Sequence, residues 1–383
     1  MRRLQEKQGR ARSLAIVTAF YPPTVGGVER FSQEFARAAL DIGLSVNVVA
    51  TAPVQQPELT VEDGGIRILR IPACNIPFSG SYFPIPVAGR RLVGEFLNCD
   101  IVMAQTRFFP TTMMAAGMAA IRGRRIYVVD HGAGPLRSAP AAMVSSMAYE
   151  HLVTLALRLF SPRFVAVSAA SAQWLGRFGV HNARVVPNGV EPREKAPVRD
   201  RRSFVKPIVF YAGRLFEEKG IIELVNGVAS LRRQGIDIEL RVAGQGPLAG
   251  ALQRRALKSD FLVYLGGLSP EDVAGELERA TVLVNPSNLG EGFSRILLEA
   301  GAAALPAIST PYGACRELIE DGVTGWLIPR GRADVIASCL EKVISQPEES
   351  IRRGVELFRL VQQKYTWPSI VRRFLEDAES DSA

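Results

Sequence analysis

The chain has 383 residues, 47% apolar and 22% charged, enough to bury substantial cores and too many for one ordinary domain, so two domains are expected. Its formal charge of +8 points to an anionic partner, yet no aromatic-rich basic motif, zinc finger or helix-turn-helix spacing accompanies it; phosphate ligands or an anionic membrane surface are expected, and nucleic acid is not. Cys74, Cys99, Cys315 and Cys339 lie far apart and do not cluster with the three histidines, so neither a zinc site nor a structural disulfide is expected, and a reducing, cytoplasmic setting fits.

The first thirteen residues hold five Lys or Arg and lead into LAIVTAF, which superficially copies a secretory signal. That apolar run is too short and enters Tyr21-Pro22-Pro23 without a small-residue cleavage pattern, so it reads as a buried first strand after a disordered basic arm. FYPPTVGGVERFSQEFARAAL follows, with Gly26 and Gly27 ahead of an amphipathic helix; a structural turn explains one glycine, and two allow a ligand close to the backbone. LSVNVVAT, DIVMAQ, RIYVVDH and FVAVSA continue as strands, with Asp130-His131-Gly132 at one strand end. His151, in a helix, and His181, in a loop, read as structural; His131 alone stands before a glycine at a strand end, where a structural and a functional role both remain open. MVSSMAYEHLVTLALRLF carries Glu150, His151 and Arg158 and reads as a soluble or interfacial helix, since no segment reaches the ~20 apolar residues of a membrane span. Six of seven methionines (Met103, Met113, Met114, Met118, Met143, Met147) fall in this half, as core or as an adaptable face toward a membrane.

Apolar periodicity is lost in EPREKAPVRDRRSFVKP, which places a linker at 191–206 between a first domain, 1–190, and a second, 207–364. There the strands PIVFYAG, IELRVAG, FLVYLGG, TVLVNPS, LPAISTP and GWLIP alternate with helical stretches. Helices are expected over 331–360 and 365–378, and the segment 365–383 is of a kind that packs back across a domain junction. The whole is an α/β chain of two Rossmann-like doubly wound domains, with ligands beyond the carboxyl ends of the strands in a cleft between them.

Several motifs exclude chemistry. AGQGPLAG spaces Gly244, Gly246 and Gly250 as GxGxxxG, and the following strand ends without an acidic residue for a ribose, so a tight turn beneath a nucleotide is preferred to a nicotinamide site. No GxxxxGK[ST] is present, and VAVSAASAQ lacks a GxSxG elbow, leaving Ser168 as a helix cap. GRLFEEKG sets Gly213 and Arg214 at a strand end and Lys219 at a turn closed by Gly220, either surface charge or a diphosphate clamp. EGFSRILLEA puts Glu291 in a loop and Glu299 in the helix that follows, with the backbone N–H groups of Gly292, Phe293 and Ser294 opening a positive helix end.

Taken in order, GG near the first turn, HG, PNGV, GRLFEEKG, AGQGP, EGFSRILLEA and TPYGACRELIEDGVTGWLIP make the chain resemble a retaining GT-B glycosyltransferase of the large family 4 across almost its whole length. The resemblance implies that Arg214 and Lys219 hold the donor diphosphate and Glu299 the ribose hydroxyls. Glu291 with the backbone of Gly292 to Ser294 would hold sugar and phosphate, His131 would meet the donor sugar near the reacting carbon, and Gly26 and Gly27 would approach the phosphate. Ser294 departs from the usual EGFG, and the basic arm is longer than the pattern needs. The same resemblance implies same-face attack with the leaving phosphate assisting, no metal, no cofactor and no protein nucleophile. The expected partners are a nucleotide-sugar such as a UDP- or GDP-sugar, a saccharide or lipid-linked acceptor, and the inner face of an anionic membrane. Two other classes share two Rossmann-like lobes: a sugar-nucleotide 2-epimerase, whose added acid/base carboxylates are not located in the first half, and a non-catalytic sugar-binding protein, which commonly carries an export signal.

Overall fold

The computed structural model describes residues 12–24, 26–61, 64–78, 81–134, 140–289, 292–329 and 331–380. The chain divides into two compact units, 1–187 with 367–383, and 188–366.

In the first unit the described strands are β1 (Ser13–Thr18), β2 (Ser45–Ala52), β3 (Glu58–Val61), β4 (Arg67–Phe78), β5 (Ser81–Pro86), β6 (Ile101–Gln105), β7 (Arg125–Asp130), β8 (Arg163–Ala166) and β9 (Arg184–Val185). Their order is β3-β4-β2-β1-β6-β7-β8-β9, with β5 on β4. β1, β2, β6, β7 and β8 are parallel and coincide with the apolar runs of the sequence, because strands covered by helices on both faces need apolar side chains at every position. β3 and β5 pair antiparallel with β4. These three carry no sequence signal of that kind: Pro72, Pro77, Pro84 and Pro86 interrupt β4 and β5, and β3 is exposed throughout, which suits the margin of a sheet.

Helix Pro110–Ile121 packs Ala115, Ala116 and Ala119, all fully buried, into the core formed by Val17, Val102, Ala104 and Val128. Met103 is fully buried in β6, and Met113, Met114 and Met118 pack on that same core. Met103 is therefore interior, Met113, Met114, Met118 and Met147 are half-buried, and the side chain of Met143 lies outside the described residues. The last helix, Trp367–Ser380, belongs to the first unit. It lies on helix Gly27–Asp41, where Trp367 and Phe374 meet Phe31 and Phe35 and the Trp367 indole N–H donates to Glu34 at 2.9 Å.

The second unit holds β10 (Ile208–Ala212), β11 (Glu239–Ala243), β12 (Leu262–Gly266), β13 (Val282–Asn285), β14 (Ala307–Ser309) and β15 (Trp326–Leu327) in the order β12-β11-β10-β13-β14-β15, parallel throughout. All six follow the expected runs. Its core joins Val209, Leu240, Val242, Val282 and Ile308 to Leu224, Val228, Ile336 and Leu340 of the covering helices. The stretch 191–206, expected as a linker, is mostly exposed and is tied to this unit at two side chains. Arg199 donates to Ala303 O, Leu277 O, Glu278 O and Ala280 O, the carbonyls that end helices Pro270–Arg279 and Arg295–Ala302, and Arg201–Phe204 forms a 3₁₀ turn with Phe204 in the core. Charge and proline removed the periodicity here without removing the contacts, because a guanidinium can satisfy helix-end carbonyls that no apolar pattern announces.

Candidate active site

In the second unit β10 is central, with β11 and β12 laid down on one side and β13 to β15 on the other. The carboxyl ends of β10 and β13 therefore bound a topological switch point, where loops diverge and leave a crevice.

The loop after β10 runs from Gly213 into the 3₁₀ turn Glu217–Lys219, which Gly220 closes at φ 70°. A side chain at Gly220 would stand 2.3 Å from the Pro286 carbonyl oxygen, so glycine alone lets the loop after β13 lie against this turn, where Asn288 N donates to Glu218 O at 2.8 Å. Arg214 is exposed, its guanidinium 5.6 Å from the Phe216 ring, while Lys219 is 6% exposed. A nearly buried ammonium on a loop at a strand end is costly to place for solubility alone.

The loop after β11 brings Gly244 and Gly246 to φ 143° and 150°. A Cβ on Gly244 would meet Gly213 O at 1.9 Å, and one on Gly246 would meet Leu215 O at 2.6 Å; Leu215 N donates to Gln245 O at 2.8 Å. Both glycines are thus accounted for by the contact between this turn and the Gly213–Leu215 backbone, which fixes the base of the Arg214 loop.

After β13, Glu291 lies outside the described residues. Gly292, Phe293 and Ser294 lead into helix Arg295–Ala302, whose N-cap Ser294 makes no side-chain cap bond. Phe293 turns its ring to Tyr365, centroids 5.6 Å apart, so the atoms it can offer a ligand are those of its backbone. Ser294 is 2% exposed, its hydroxyl 3.4 Å from the Asn285 amide nitrogen, which shows how serine fits where glycine is usual. Glu299, one turn into the helix, pairs with Arg295 at 3.5 Å. Because β10 neighbours both β11 and β13, the three loops carrying Gly213, Arg214, Lys219, Gly244, Gly246 and Gly292 to Ser294 emerge side by side.

In the first unit Gly26 is the extended N-cap of helix Gly27–Asp41. The Glu29 carboxylate folds back over it, 2.1 Å from where a Gly26 Cβ would stand, and burial pushes the Glu29 carboxyl above its usual range. Gly27 has nothing within 4 Å of an added Cβ. His131 follows β7; its Nε2 lies 2.7 Å from Gln105 Oε1, its ring sits edge-on to Phe31 at 5.0 Å, and burial lowers its pKa to about 3. His131 is therefore neutral at physiological pH, one ring nitrogen paired with the side-chain amide of Gln105.

Two family models cover most of the chain: the Glycosyltransferase Family 4 model matches residues 25–194, and the model for glycosyl transferases group 1 matches residues 195–354. The chain is a group 1 glycosyltransferase of the GT-B fold. The enzyme transfers a sugar, as hexosyltransferases do, from a nucleotide-sugar to an acceptor. It is similar to the GDP-mannose-dependent alpha-(1-6)-phosphatidylinositol dimannoside mannosyltransferase of Mycobacterium tuberculosis, 26% identical over 92% of each chain. Another relative, the GDP-mannose-dependent alpha-(1-6)-phosphatidylinositol monomannoside mannosyltransferase of Mycolicibacterium smegmatis, is 25% identical over 95% of this chain and 97% of its own. Among solved structures, sucrose-phosphate synthase from Thermosynechococcus elongatus superposes with a TM-score of 0.74 at 18% identity over 96% and 98% of the two chains. Anabaena HepE in complex with UDP does so with a TM-score of 0.73 at 16% identity over 96% and 100%.

Ser168 caps its helix, accepting from Ser171 N at 2.9 Å, as its sequence context implied. Sequence reading passed over Arg295, which its i,i+4 spacing to Glu299 could have flagged. It also missed Gln105 and the buried Arg107, which no local pattern joins to His131 and Asp130.

Proposed function

We propose that this glycosyltransferase is retaining and metal-independent, moving a hexose from a UDP- or GDP-sugar to a saccharide or lipid-linked acceptor in glycan or glycolipid synthesis. The observation that carries the reading is the convergence of the Arg214–Lys219 turn and the Gly292–Ser294 helix end at the carboxyl ends of adjacent strands. A nucleotide-sugar already contains a good leaving group, so catalysis consists of stabilising the departing diphosphate while positive charge develops on the sugar. Arg214 and Lys219 neutralise it, and the open N–H groups of the helix end add donors. Glu299 takes the ribose hydroxyls, held in place by Arg295. We assign neutral His131 to the transferring sugar, where it adds no positive charge against the developing oxocarbenium ion, and Gly27, unobstructed at a helix N-terminus, to a phosphate oxygen. The names of the mannosyltransferase relatives and the UDP complex of HepE support the donor class.

Removing one such cationic donor costs about 100- to 1,000-fold in turnover. Arg214→Ala and Lys219→Ala are therefore measured at saturating donor, with product anomer read by NMR and chelator added in parallel. Near-wild-type turnover by both folded variants places the diphosphate elsewhere, inversion of the anomer ends the same-face mechanism, and loss of activity on chelation ends metal independence.

We propose that the acceptor side works at the inner face of an anionic membrane. Helix Pro140–Arg158 turns Ser146, Glu150 and Thr154 inward and leaves Val144, Leu152 and Leu155 more than 60% exposed, followed by Leu159 at 83%. Exposed His151 and Arg158 flank that row, and the helix's one acidic residue, Glu150, is buried. An apolar row with basic flanks and no outward acid fits a lipid headgroup boundary. Among the described residues no helix is long and apolar enough to cross a membrane. Flotation with phosphatidylglycerol vesicles, comparing wild type with Leu152→Ser/Leu155→Ser, tests it: absence of wild-type co-migration at low salt refutes the membrane face.

A further inference from the structure

Beneath His131 lies a charged cluster with no part in holding the donor. Arg107 is 1% exposed, with one guanidinium nitrogen on Asp130 Oδ2, another on Glu150 Oε2 and Nε donating to Thr154 Oγ1 at 3.2 Å. Its guanidinium carbon is 4.2 Å from the Phe178 ring centroid. Burial raises the Glu150 carboxyl above its usual range, with the charge of Asp130 adding and Arg107 opposing. A buried arginine between two carboxylates recovers little net stability over an apolar filling, so its presence asks for another reason.

That reason is visible one residue along the chain. Asp130 accepts from Arg107 through one oxygen and from Gly132 N through the other at 2.9 Å, which bridges the backbone on either side of His131. The residue between is held in direction as well as place. Thr106, at φ 66°, turns the chain between Gln105 and Arg107, so that one strand end supplies both the partner for the His131 ring and the clamp for its backbone. The kink is fastened by Thr106 N on Val129 O at 2.7 Å and by the Thr112 hydroxyl on Gln105 O and Thr106 O. A non-glycine residue in this region is sparsely populated and persists where its surroundings over-determine it.

We propose that Arg107 is a positioning residue for His131, acting through Asp130. The proposal rests on the assignment of His131 to the transferring sugar. Arg107 touches no substrate in this scheme; it fixes the turn from which the imidazole is presented, and small displacements of such a group cost about 100-fold.

The test is a double-mutant cycle of Arg107→Met and His131→Ala in the full chain, with turnover at saturating donor and the imidazole nitrogen resonances of His131 as separate readouts. Arg107→Met is expected to shift the His131 resonances and to lower kcat roughly 10- to 100-fold with little change in donor KM, and to cost nothing further in the His131→Ala background. An equal loss in both backgrounds, or unmoved His131 resonances, overturns the proposal. If His131→Ala alone keeps wild-type turnover, the sugar assignment fails, and the resonances still decide whether Arg107 positions the ring. Should Arg107→Met not fold, Asp130→Asn, which keeps the oxygen facing Gly132 and loses the charge facing Arg107, enters the same cycle with the same outcomes.

Discussion

Replacing Arg199 with methionine removes five N–H···O contacts of 2.7–3.1 Å to the carbonyls of Leu277, Glu278, Ala280 and Ala303 while keeping an unbranched stem of similar reach. Burial lowers the Arg199 pKa to about 10, so the guanidinium is cationic at neutral pH and faces the negative ends of two helices. Each bond to a charged donor is worth about 1.5–3 kcal/mol where no water replaces it, but Arg199 is half-buried and water re-enters when it leaves. With four carbonyls left only partly satisfied, the net loss is therefore about 3–5 kcal/mol, well below the sum of the separate bonds. For a unit of this size each kcal/mol lowers the melting midpoint by roughly 2–4 °C, so the variant should melt about 6–20 °C lower. Arg199→Lys, with three donors and no planar fork, should recover only part. Val198→Ala, at a side chain 97% exposed, is the control and should leave the midpoint in place. Calorimetry and urea unfolding read the effect, and donor KM should rise in parallel because Arg199 ends the helix that carries Glu299. A midpoint for Arg199→Met within about 2 °C of wild type would falsify the claim that Arg199 anchors its segment to the second unit.

Two glycine substitutions separate structure from ligand contact. Gly244→Ala meets a carbonyl oxygen at 1.9 Å with φ at 143° and should abolish soluble second-unit folding, whereas Gly27→Ala meets nothing within 4 Å and should keep its melting midpoint while weakening donor binding; unchanged donor KM in a folded Gly27→Ala would remove that residue from the phosphate site. For His131 the sign follows from a depressed base: the unfolded chain takes up the proton near pH 6.5 and the folded one only near 3, so its contribution is full above pH 6.5 and is lost as pH falls toward 3. That loss should amount to a few kcal/mol, about what a partly solvated imidazole allows, and His131→Asn should flatten it in urea midpoints taken from pH 7 to 4; parallel loss in both proteins would show that other groups dominate.

The sequence by itself determined what depends on neighbours along the chain. Unbroken Val, Ile and Leu runs imply strands buried on both faces, and all six strands of the second unit follow; Ser168 caps a helix because its hydroxyl reaches an amide three residues on. Gly220, Gly244 and Gly246 were legible as turn glycines, though the reason for them was not: what excludes a side chain at each is a carbonyl from another strand's loop, Pro286, Gly213 or Leu215. Only the tertiary structure decided the rest. It tied 191–206 to the second unit through Arg199, whose partners lie 78 to 104 residues away. It buried Met103, set the methionines of helix Pro110–Ile121 against the core and turned an apolar row of the Pro140–Arg158 helix outward, because the inward face is held by Glu150 and Thr154 against a buried arginine. Arg107 meets Asp130 and Glu150 across 23 and 43 residues, and local periodicity carries no information about which distant charge will be desolvated with which. That choice is made when the sheet closes and water leaves.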